Sequence, residues 1–112
     1  MKKLVVLIAL FVFAISKSQD YTVLHINSSW NYRNDYKDLD KIKGAKILKA
    51  FLEDQTLEIK NQIKSVPVIF IYRNKSLIGR YDGGISLTID VPVNEIQKVI
   101  VLTKYTRIAT ND

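Results

Sequence analysis

Ile63-Lys64-Ser65-Val66-Pro67-Val68-Ile69-Phe70-Ile71-Tyr72-Arg73-Asn74-Lys75 is the stretch on which the reading of this chain turns. Val66 to Tyr72 is almost continuously apolar and rich in β-branched residues, the pattern of a strand buried on both faces. Proline has no N–H to give to a ladder, so Pro67 belongs at the entry of that strand rather than inside it. Asn74-Lys75 predicts a hairpin turn into Ser76–Tyr81, and Asp82-Gly83-Gly84 interrupts the pattern.

Upstream, Tyr21–Asn27 has the β-branched and apolar content of a strand and ends in the turn-prone Asn27-Ser28-Ser29. Asn34-Asp35 can cap a short helix reaching Lys43, in which Tyr36, Leu39 and Ile42 recur every three residues and Gly44 follows as a stop. Lys46–Leu52 reads as a second strand, with Ile47, Leu48, Phe51 and Leu52 as its apolar surface. Asp54-Gln55-Thr56 opens a helix whose Leu57, Ile59 and Ile63 are expected to face the core. Downstream, Ile85, Leu87, Ile89 and Val91 alternate with Ser86, Thr88 and Asp90, which is strand periodicity. Pro92-Val93-Asn94 then leads into a helix with Ile96, Val99, Ile100 and Thr103 on one side, and Thr106–Asp112 is expected to be a flexible tail. The order β-α-β-α-β-β-(β)-α describes an α/β domain with a central mixed sheet flanked by helices.

The 112 residues suffice for one domain, and 47% hydrophobic with 25% charged is a globular composition. Cysteine is absent, which excludes a disulfide scaffold, thiolate catalysis and cysteine-bound metal; a single histidine leaves little for a transition-metal site. No cofactor is expected. Half of the formal net charge of +6 sits on Lys2, Lys3 and Lys17, so what remains is too mild to point to nucleic acid. Those lysines flank the apolar run Leu4–Ile15, and Ser16 and Ser18 stand where a signal peptidase needs small residues. As a helix the run would span about 18 Å, well short of a hydrocarbon core of about 30 Å. Residues 1–18 therefore read as a secretory signal peptide, 19–105 as the domain and 106–112 as the tail. The expected location is periplasmic or extracellular, with no stable membrane span after signal removal.

The element order and three local patterns resemble the thioredoxin family over roughly residues 21–104. Ile63-Lys64-Ser65-Val66-Pro67 and the apolar run after it are similar to the segment where a helix ends, a cis-proline follows and the central strand begins. Arg73-Asn74-Lys75 through Gly79-Arg80-Tyr81-Asp82-Gly83 resembles the hairpin and its closing glycine. Trp30-Asn31-Tyr32-Arg33-Asn34 stands where the family carries a tryptophan followed by Cys-x-x-Cys, with Asn31 and Asn34 in both cysteine positions. The resemblance implies a thioredoxin-like fold, from which this sequence departs in a first helix, Asp35 to Lys43, of about half the length expected. It also implies a docking surface formed by the tryptophan loop and the proline turn. Asparagine has no nucleophilic sulfur and no redox couple, so the disulfide oxidoreductase activity of the family is not expected.

On this reading no residue is catalytic, and the candidate binding residues are Trp30, Asn31, Tyr32, Asn34, Val66 and Pro67. By the resemblance, Val66 would offer its N–H and C=O to an extended peptide beside the cis-proline. Trp30 and Tyr32 on a polar loop are candidate anchors for a protein contact. Asn31 has a plain alternative as a turn or capping residue, and Pro67 as a strand-starting core residue. His25, five residues before Trp30, reads as a hydrogen-bonded core histidine rather than a base. Glu53, Asp54 and Glu58 read as capping and dipole residues, and the lysines from Lys37 to Lys49 as a solvated face. The expected function is a secreted, redox-inactive module that binds a protein or peptide. One alternative is an assembly subunit using its sheet edge, with Ile85–Val91 as a candidate, or its last helix. Another is an enzyme that pairs His25 with Asp82 or Glu53.

Overall fold

The computed structural model describes residues 20–110. Four strands form one sheet: β1 (Tyr21–Asn27), β2 (Lys46–Phe51), β3 (Val68–Arg73) and β4 (Ser76–Asp82), in the spatial order β2-β1-β3-β4. β1 and β2 are parallel, whereas β3 runs antiparallel to both β1 and β4, so the sheet is mixed as expected. The apolar stretch that set the reading becomes β3, and Val68, Ile69 and Ile71 are wholly buried. Its alternate residues feed two cores. Ile69 and Ile71 join Tyr21, Val23, Tyr36, Leu39, Ile42, Ile89, Ile96 and Ile100 on one face. Val68 and Phe70 join Ile26, Ile63 and Val66 on the other. That division follows from the period of two along a strand.

Two α-helices accompany the sheet, α1 (Leu57–Asn61) and α2 (Val93–Thr110). In α2, Ile96 and Ile100 lie one turn apart and are fully buried, with Val99 packed beside them. The tail expected from Thr106 is helical backbone as far as Thr110, and Asn111 and Asp112 lie outside the described residues. The signal peptide expected over residues 1–18 also lies outside them. No helix among the described residues is long and apolar enough to cross a membrane.

Three local expectations need correction. The helix expected from Asp35 to Lys43 is absent: 3-10 turns at Ser29–Asn34 and Leu39–Lys41 take its place. Asp35 is extended, and the Tyr36 N–H donates to the imidazole of His25 instead of to a helical carbonyl. Tyr36, Leu39 and Ile42 nevertheless reach the core, so their spacing was set by burial rather than by helix. The second expected helix is only five residues long, capped by Thr56, whose Oγ1 accepts from the Ile59 N–H. Leu57 and Ile59 are exposed, and of the three apolar residues assigned to the core only Ile63 is buried. Finally, Ile85–Val91 is no strand. It begins as a 3-10 turn at Gly84–Ser86, and Leu87 adopts a left-handed conformation. Its alternation arises because Ile89 turns to the first core, Leu87 packs on the second, and Ile85 is fully exposed.

Candidate functional site

At the C-terminal end of β1 and the N-terminal end of β3, two loops face each other across a groove of about 570 Å³. Trp30, Leu52, Ile63, Val66, Ile85 and Leu87 supply its apolar walls, and Ser28, Lys64 and Ser65 its polar ones. Trp30 is 66% exposed, an unusual state for so large a ring on a small domain. The Val66-Pro67 peptide bond is cis, in agreement with the resemblance. Neither the N–H nor the C=O of Val66 takes part in the turn and loop hydrogen bonds of the described residues, although the residue itself is buried.

Opposite Val66, the chain comes back at Gly83, whose N–H donates to the Pro67 carbonyl at 2.8 Å. A Cβ at Gly83 would stand 2.6 Å from the Val66 carbonyl oxygen and 2.9 Å from Pro67 Cδ, so only glycine allows this approach. Gly84 follows with φ +67°, its N–H donating to Ser65 Oγ at 3.0 Å. Together these contacts lift Ile85 to the rim of the groove.

The loop on the Trp30 side is held by polar groups. Asn27 Nδ2 donates to the Asn31 carbonyl at 2.8 Å and to Asp35 Oδ1 at 2.7 Å, while Asn27 Oδ1 accepts from the Ser28 N–H and from Asn31 Nδ2. Asn31 Nδ2 also donates to the Leu87 carbonyl at 3.1 Å, tying the two walls of the groove together. Asn34 Nδ2 donates to Asn31 Oδ1 at 2.7 Å. The two side chains in the positions compared with cysteines are thus joined by a hydrogen bond. Glu53 reaches across to accept from the Ser29 N–H and Oγ. Hydrogen bonds from backbone N–H groups hold its carboxyl below the usual range. Glu53 therefore tethers this loop from the first turn of the 3-10 helix at Leu52–Asp54, where an acid also suits the helix dipole.

Beneath the loop, His25 is 1% exposed, and its Nε2 accepts from the Tyr36 N–H at 3.1 Å. An accepting Nε2 places the proton of the neutral ring on Nδ1, which has no partner among the described residues. A small cavity of about 110 Å³ adjoins it, lined by His25, Asn27, Asp35, Lys49, Ala50 and Phe51. Burial lowers the imidazole pKa, Asp35 opposes that shift and Lys49 adds to it. At Asp35, burial works against ionisation, but hydrogen bonds from Asn27 and from Lys49, at 3.1 Å, outweigh it and hold the carboxyl below its usual value. The partners proposed for His25 in an enzyme are elsewhere: Glu53 is bound to Ser29, and Asp82 pairs with Arg80.

Of the six candidate residues, Trp30 and Val66 line the groove, and Pro67 is fully buried beneath it. Asn31 is buried within the hydrogen-bond network, which gives it the plain structural role. Tyr32 is exposed under the Arg33 guanidinium, 5.8 Å from its ring centre, and Asn34 borders a different cavity, so neither lines the groove. Sequence reasoning missed Ile85, Leu87 and Lys64. Gly83-Gly84 immediately before Ile85 was the available signal, since paired glycines mark a turn that can throw the next side chain outward. Among the described residues no group of three or more histidine or acidic side chains is placed to hold a metal.

No protein-family model and no curated protein matches the chain. Among solved structures it is similar to thioredoxin-2, described as a component of the malaria parasite protein secretion machinery. The match has a TM-score of 0.52 and 23% identity, and covers 75% of this chain and 84% of that one. The mixed four-stranded sheet with its flanking helices, in a chain without a single cysteine, is a thioredoxin-like fold that holds no thiol for disulfide exchange.

Proposed function

We propose that this chain is an exported, redox-inactive thioredoxin-fold module that binds an extended protein or peptide segment non-covalently, with no catalytic step. The observation that carries the reading is the groove, where an exposed tryptophan and an exposed isoleucine flank a residue whose backbone N–H and C=O are both unused among the described residues. A peptide laid along Val66 would gain main-chain hydrogen bonds, and its apolar side chains would fall between Trp30 and Ile85. The missing sulfurs support a reversible, non-covalent contact, since no mixed disulfide can form. Export rests on the leader-like segment at residues 1–18.

Probing a random peptide array with the purified domain is expected to select β-prone apolar peptides. Trp30→Ala and Ile85→Ser should each weaken that binding about tenfold, equivalent to about 1.4 kcal/mol at a hot spot. Undiminished binding by both variants would refute the groove as the site.

The alternative as an assembly subunit has one observation in its favour. β2 is a sheet edge on which Leu48 and Phe51 are exposed, and Leu102 of α2 is exposed as well. Sedimentation separates the readings: the binding module runs as a monomer, an assembly subunit as a higher species that Leu48→Lys would dissociate.

A further inference from the structure

The loop that carries Trp30 has no α-helix to hold it, and among the side chains that pin it is a buried imidazole. His25 Nε2 receives the Tyr36 N–H, and Tyr36 closes the other end by donating its hydroxyl to the Val91 carbonyl at 2.6 Å. This arrangement exists only while Nε2 is unprotonated. A proton there would set two N–H donors against each other across 3.1 Å, on a ring that is 1% exposed.

The imidazolium would need an acceptor. Among the described residues, the charged groups that face the ring are Asp35 from the loop and Lys49 from β2. The β3 residue opposite is Ile69, and α2 sends Ile96 and Ile100 to this face of the sheet. Asp35 already uses Oδ1 for Asn27 and Oδ2 for Lys49. Both oxygens keep lone pairs to spare, but Asp35 makes no hydrogen bond to the ring among the described residues, so accepting from a charged Nε2 requires the Asn34–Tyr36 segment to move. Lys49 offers only repulsion.

We propose that His25 is a proton-operated latch, which on protonation at Nε2 releases the Asn34–Tyr36 segment and with it the loop that bears Trp30. The sign follows from burial. A buried histidine titrates below its ordinary value of 6.5, so the unfolded chain takes up the proton first. Stability from the closed latch is complete above that value and is lost as the pH falls below it. Asp35, held below its ordinary 3.8, stays ionised through this window and does not obscure it. The consequence for peptide capture, release under mild acid, rests on the binding reading given above; the latch itself does not.

The full chain has one histidine and one tryptophan, so each signal is assigned without ambiguity. From pH 7.5 to 4.5, the His25 ring resonances, Tyr36 amide exchange and Trp30 fluorescence should move together in one step with a midpoint below 6.5. Tyr36 amide protection should fall at least tenfold across it. His25→Gln, which does not titrate, should abolish the step. Lys49→Met, which removes the repulsion, should raise its midpoint, and this variant decides the matter if His25→Gln does not fold. Titration of His25 with Tyr36 protection unchanged, or persistence of the tryptophan step in His25→Gln, would overturn the latch. An array-selected peptide that is released on the same midpoint adds the functional link. A latch that operates in a chain with no peptide binding leaves the latch standing and removes the binding reading.

Discussion

The two loops that frame the groove are held in different ways. The Ser28–Tyr36 side hangs on hydrogen bonds in which the side chains of Asn27 and Asn31 donate and those of Asp35, His25 and Glu53 accept. The Gly83–Leu87 side has hydrogen bonds too, to Pro67, Ser65 and Asn31, but it adds a constraint of shape, through a glycine pressed against Val66 and a second glycine at positive φ. A loop held by polar groups responds to protons and to the loss of a single partner, whereas one held by close approach responds to added volume.

The largest effect that separates the walls is expected at Gly83. Gly83→Ala should lower stability by about 3 kcal/mol, because the new methyl meets backbone and a proline ring, neither of which can rotate away. Gly84→Ala, where a Cβ meets nothing but φ is positive, should cost only about 1 kcal/mol. Equal losses in urea unfolding would mean that conformation, and not close approach, holds this side. On the polar wall, Asn27→Ala orphans the Ser28 N–H and the Asn31 carbonyl and should cost about 2 kcal/mol. The same titration checks it: a loss no greater than that of an exposed asparagine would show the network to be dispensable.

The smallest effect concerns acid at Asp35. Its folded pKa is depressed, so the stability it contributes is present above its ordinary 3.8 and is lost as the pH falls through the folded value. Asp35→Asn should flatten the acid limb of the stability profile below that point and, by removing the charge that favours the imidazolium, move the His25 step to lower pH. If the acid limb keeps its slope, the carboxylate does not hold the polar wall.

Much of the sheet was legible because strand burial writes a local pattern. Val68–Tyr72 is apolar without interruption, and it became the strand with a core on each face. Trp30 and Val66 were legible through the resemblance to thioredoxins, and both line the groove. Tyr32 was assigned to the same site as a neighbour of Trp30 and Asn34 by its place in the resemblance, but a turn of 3-10 geometry carries nearby side chains in different directions. Ile85 failed for the converse reason. Its place in an alternating run suggested a strand, whereas the two glycines before it had already turned the chain.

The absence of cysteine, and with it of thiol chemistry, was settled by composition, because no fold can supply an atom that the chain does not contain. The β-strands and the long last helix were settled nearly as firmly, since repeating apolar contacts a few residues apart suffice to mark them. Tertiary structure alone decided that His25 lies beneath Tyr36, that Asn27 bridges to Asp35 and that Gly83 meets Val66. Partners such as Gly83 and Val66 are far apart along the chain and meet only when β3 and β4 pair. Even the nearer pairs depend on a loop path that leaves no periodic trace in the residues themselves.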